Sequence, residues 1–154
     1  MKSQISTSRA TSCAPPTLHS TLLLSATPRG VRLARALAVH QLTEWGWPPA
    51  HPTAEAAALV VAELAANAVT HGRVSGRGFR VTLTVPADNP GTLRIEVTDP
   101  RGDRAPLLPA PPTAPTSLAG TGRGLLLVDA LATRWGTDPY PPSGKTVWAC
   151  LPLL

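Results

Sequence analysis

The sequence predicts an α/β two-layer sandwich, a mixed, mostly antiparallel sheet covered on one face by helices. Three observations lead there. Two long stretches carry helical spacing of apolar residues, two short runs alternate with period two around a turn, and a further helix and strand close the chain. Helices interleaved with strands of this kind pack as two layers around one core. The 154 residues suit a single domain able to bury a core. With 43% hydrophobic but only 4% aromatic residues, that core must be built from Ala, Val and Leu.

Taken in order, "LHSTLLLS" (18–25) reads as a first strand. "TPRGVRLARALAVHQLTEWG" follows as a helix, with Thr27 placed to cap it, Pro28 in the first turn and Gly46 at its end. Val31, Leu33/Ala34, Leu37/Ala38 and Leu42 form its expected core stripe, with arginines between them. After the stiff connector "WPPAHP", a second helix runs from near Thr53 to the His71–Gly72 pair. "FRVTLTV" (79–85) and "TLRIEVTD" (92–99) flank the turn residues "PADNPG" and predict an antiparallel hairpin. A breaker-rich stretch comes next, then "GRGLLLVDALATRWG" as a third helix and "KTVWACLPL" as a last strand.

The net charge of +5 and a pI near 10.2 fit an anionic partner. Arginine is spread along the chain without a basic block, so direct nucleic-acid binding is not expected. Cys13 and Cys150 lie far apart, without partners at metal-ligand spacing, and read as reduced thiols of a cytoplasmic protein. No apolar run is expected to reach the roughly 18 residues of a membrane span. Residues 1–17 are basic and Ser/Thr-rich with little apolar surface, and read as a disordered tail ahead of a domain over 18–154.

Three constellations could carry chemistry. Glu63 and Asn67 are four residues apart in the second helix and share one face of it. An apolar helix needs neither, and together they offer an oxygen ligand for Mg²⁺ and a carboxylate able to accept a proton. A solvated outer face would explain them equally well. Asp99 closes a strand, where its carboxylate can accept a hydrogen bond from an exocyclic amine or simply form a turn. "GTGRG" (120–124) opens a helix, where backbone N–H groups and the helix terminus favour an anion, although a hinge would look the same. "SGKT" (143–146) is no P-loop, because Pro139 stands where the first glycine belongs and a strand follows.

In this order and spacing, "ELAANAVTHG", "GTGRGLLLVDALA" and "GKTVWACLP" resemble the GHKL (histidine kinase-like) ATPase superfamily. The short single-domain form is similar to the anti-sigma-factor serine kinases of bacteria. The resemblance runs from about Leu18 to Leu151 and implies a Bergerat-type ATP-binding fold, with ATP and Mg²⁺ as cofactors. It implies that Asn67 ligates Mg²⁺ and that Glu63 activates the hydroxyl of a partner protein. Asp99 would read adenine with support from Thr146. Gly120, Thr121, Gly122, Arg123, Gly124 and Leu125 would form the phosphate-side glycine box, and 102–119, from Gly102, the ATP lid. The implied partners are a sigma factor and an anti-sigma antagonist protein, and similar kinases are often homodimers.

The sequence departs from the family at the aspartate box, usually Asp-x-Gly-x-Gly. Here Asp99 is followed by Pro100, Arg101, Gly102 and Asp103, so neither glycine falls in its place. Nucleotide binding is therefore expected ahead of efficient turnover. The alternative to a kinase is an ATP-binding interaction module without phosphotransfer. The catalytic half of a histidine kinase is disfavoured, since the chain has no room for a phospho-accepting helix pair and His71 reads as a helix end.

Overall fold

The computed structural model describes residues 17–102 and 123–154. Eight elements follow in order: β1 (Leu18–Leu24), α1 (Pro28–Glu44), α2 (Pro52–His71), β2 (Phe79–Val85), β3 (Thr92–Asp99), α3 (Arg123–Leu131), β4 (Arg134–Tyr140) and β5 (Gly144–Pro152). The strands form one sheet in the order β1-β2-β3-β5-β4. Every pairing is antiparallel, so the sheet is not mixed as expected. The two-layer sandwich itself is confirmed.

Period-two alternation decides which face carries the core. Phe79, Val81, Leu83 and Val85 of β2 are buried, as are Leu93, Ile95 and Val97 of β3 and Val147, Ala149 and Leu151 of β5. Removing each large apolar side chain from water contributes about 1.5–3 kcal/mol. The intervening residues of β1 and β2 face away, where His19, Thr21, Thr82 and Thr84 hydrogen-bond across the strands. Arg94 lies over the Trp148 ring on the same outer face, 4.5 Å from its centroid.

Helix α2 packs against β2, β3 and β5, with α1 and α3 on its flanks. It is long and apolar enough to cross a membrane by length and composition, contrary to the sequence expectation, but half of that stretch is buried inside the fold. On α1 the buried positions are Gly30, Ala34, Ala38 and Leu42. Leu33 and Leu37, assigned to the core stripe from sequence, are 43% and 38% exposed. Small residues at the contact let α1 and α2 approach closely, and that rotates the leucines outward.

Thr27 caps α1 as expected, its Oγ1 accepting from the Gly30 N–H at 3.0 Å. Thr27→Ala should lower the unfolding free energy by about 1 kcal/mol in urea denaturation. An unchanged midpoint would mean that solvent satisfies the helix terminus equally well. The N-cap of α2 is His51, whose Nδ1 accepts from the Thr53 N–H at 3.1 Å.

The largest difference from expectation is β4. The sequence pattern carried the third helix through Gly136, whereas α3 ends at Leu131 and Arg134–Tyr140 pairs with β5 along its whole length. β4 is a largely exposed edge strand containing Gly136 and Pro139, so it has almost no apolar alternation to read. Proline is tolerated at such an edge. The expected tail lies outside the described residues except for Thr17, whose Oγ1 accepts from the Ala87 N–H.

Candidate functional site

The ends of all five strands gather on the side of the sheet where Asp99 lies, and the C-terminus of α2 meets it there. The last residue of β3, Asp99 continues the inward-facing set Leu93, Ile95 and Val97 and is only 4% exposed. In the β3–β5 register its cross-strand partner is Lys145, itself 3% exposed. The Lys145 Nζ lies 2.9 Å from Asp99 Oδ2 and 3.1 Å from Oδ1, and donates as well to the Arg101 carbonyl at 2.9 Å. The Arg101 N–H donates to Oδ1 at 2.8 Å. A buried carboxylate requires such partners, because an unpaired charge in the interior is costly.

Gly72, the C-cap of α2, presses on the same carboxylate. A Cβ at this position would stand 2.2 Å from Asp99 Cγ, so the close approach requires glycine. The helix that carries Glu63 and Asn67 therefore ends directly against Asp99. Both of these side chains are half-buried, one turn apart on α2, and among the described residues neither makes a hydrogen bond. An amide oxygen beside a carboxylate, with lone pairs uncommitted, fits the oxygen-rich shell that Mg²⁺ takes.

A cavity of about 730 Å³ opens at this end of the sheet, walled by residues 23–27, Arg73, 76–80, 98–100 and 140–144. Asp99 is one of its walls, whereas Glu63 and Asn67 are not. Arg73, Arg77 and Arg80 give it a basic wall, and Arg80 is held by the Tyr140 hydroxyl at 2.8 Å.

The remaining expected site residues divide sharply. Thr146 does not support Asp99: one register position on, it faces the opposite side of the sheet and hydrogen-bonds Thr98, Oγ1 to Oγ1 at 2.7 Å. Lys145 takes the place expected for it. The sequence holds this signal, since the alternation of Val147, Ala149 and Leu151 along the expected last strand puts Lys145, and not Thr146, on the buried face. Gly102 bonds through its N–H to the Ser143 carbonyl, and a Cβ there would meet the Gly144 carbonyl at 2.6 Å. It is a packing glycine against the β4–β5 turn.

Leu125 buries its side chain in the core at 2% exposure, so only its backbone is free to meet a ligand. Arg123 and Gly124 form the first turn of α3, which packs on α2. Gly120, Thr121, Gly122 and the lid beyond Gly102 lie outside the described residues.

Comparison with known proteins agrees with this architecture. Over 63 residues, 41% of the chain, the sequence is 40% identical to an uncharacterised protein of Streptomyces coelicolor, and the match spans 57% of that protein's length. The fold is similar to the crystal structure of the RsbU and RsbW domains of Rv1364c from Mycobacterium tuberculosis, with a TM-score of 0.62 at 23% identity. That likeness covers 90% of this chain and 33% of the other. The family model for the histidine kinase-like ATPase domain matches residues 24–151. Matched from the end of β1 through β5, the chain belongs to the histidine kinase-like ATPase domain family.

Proposed function

We propose that the protein binds ATP with Mg²⁺ and acts as an anti-sigma-factor-type serine kinase on a partner antagonist protein in the cytoplasm. Membership of the family implies ATP binding. The observation that supports the finer reading is the Glu63/Asn67 pair, half-buried on α2 with no hydrogen-bonding partner among the described residues. Asn67 would hold the metal, which when bound neutralises charge on the phosphates. Glu63 would take the proton of the partner's serine hydroxyl as that oxygen bonds to the terminal phosphorus and ADP leaves.

A second reading, an ATP-binding interaction module without phosphotransfer, draws on a different observation. Asp99 is held by Lys145, and the aspartate-box glycines are displaced. The deciding experiment pairs calorimetric ATP titration with phosphate incorporation from labelled ATP into a serine-bearing antagonist. Binding with incorporation supports the kinase, and binding without it for every antagonist supports the module. No ATP binding at millimolar concentration sinks both.

Asn67→Ala should weaken Mg²⁺-dependent ATP binding at least about tenfold, a loss expected of one charge-assisted ligand. Affinity measured in excess chelator should not change. Equal Mg²⁺ dependence in parent and variant would remove Asn67 from the metal site.

A further inference from the structure

The chain has two lysines against twelve arginines, and one of the two, Lys145, is buried on Asp99. Its ammonium has three donors, and three acceptors surround it: Asp99 Oδ1, Asp99 Oδ2 and the Arg101 carbonyl. The carboxylate is nearly as fully engaged. A carboxylate offers about four lone-pair sites. Oδ1 accepts from both Lys145 and the Arg101 N–H, and Oδ2 accepts from Lys145. On the remaining side Gly72 closes in, since a Cβ there would lie 2.3 Å from Oδ2. Any exocyclic amine seeking this carboxylate meets a group with three of its roughly four acceptor sites engaged and the last one crowded by Gly72.

We propose that Lys145 is the residue that sets base recognition in this protein: its ammonium occupies on Asp99 the place that the exocyclic amine of a purine would take, so the amine goes unread while the ion pair is closed. The inference rests on the nucleotide-binding reading and deepens it. Cross-strand geometry makes the occupation direct, because residues paired across an antiparallel ladder project to the same face. Arginine could not fill this role equally, since its planar fork is larger than the compact ammonium held here on three oxygens.

The test compares ATP with purine riboside triphosphate, which carries the same phosphates and sugar but no exocyclic amine, on the parent protein and on Lys145→Thr. The parent is expected to bind the two within about threefold of each other. In Lys145→Thr the freed carboxylate should favour ATP by about tenfold or more, as expected for a hydrogen bond to a charged group. Affinity for the analogue should stay unchanged. A parent that already prefers ATP tenfold overturns the proposal, as does a folded Lys145→Thr that prefers neither. Should that variant not fold, the parent's ratio decides alone. If neither nucleotide binds either protein, the nucleotide reading falls together with this one. Binding without dependence on residue 145 removes this one only.

Discussion

Lys145→Met is expected to lower the unfolding free energy by about 3–5 kcal/mol, the cost of leaving a buried carboxylate without its counter-charge. The side chains of Lys145 and Asp99 are 4% and 2% exposed, so solvent does little to screen the loss. Asp99→Leu alone should be comparably damaging, because it strands an ammonium among the same residues. The double variant should recover most of the loss, since apolar replacement of both partners removes the desolvation penalty as well as the attraction. A double-mutant cycle in urea measures the coupling directly. Additive single losses, or a Lys145→Met cost below about 1 kcal/mol, would show that the pair is open to water in solution.

On the kinase reading, Glu63→Gln should leave ATP affinity and melting temperature unchanged while phosphotransfer falls by at least about a hundredfold. Glutamine keeps the shape and hydrogen-bonding reach of the side chain but cannot accept the serine proton. Glu63 is half-buried and makes no hydrogen bond among the described residues, so its replacement disturbs no packing network. That separates a chemical role from a structural one. A variant transferring phosphate at the parent rate would leave Glu63 as a solvated helix residue.

Much of this architecture was legible because apolar periodicity reports burial. β2 and β3 alternate cleanly, and Thr27, Pro28 and Gly46 bracket α1 as their chemistry requires. What escaped was whatever burial does not encode. β4 is an exposed edge strand whose pairing is made by backbone groups, so its side chains carry little pattern. On α1 the expected Ala34, Ala38 and Leu42 are buried, while Leu33 and Leu37 are not, because leucine outweighs alanine in any hydrophobic count and helix contact selects the smaller residue. At the site, Asp99 was found from its place at a strand end. Its neighbour is a matter of one residue: Lys145 shares the buried parity of Val147, Ala149 and Leu151, Thr146 has the opposite parity, and the register shows which of the two meets Asp99.

The contact of Gly72 with Asp99 makes α2 a ruler. Asn67 stands five residues before Gly72 and Glu63 nine. At about 1.5 Å per residue those positions lie roughly 7.5 Å and 13.5 Å along the axis from Gly72. With the helix butted against Asp99 through a glycine too close for any side chain, the spacing cannot creep. It can change only in whole residues. One residue inserted between Asn67 and Gly72 would shift the pair by about 1.5 Å and turn it by roughly 100°, onto another face of the helix. The separation between Asp99 and the Glu63/Asn67 pair is therefore set by the helix in whole-residue steps.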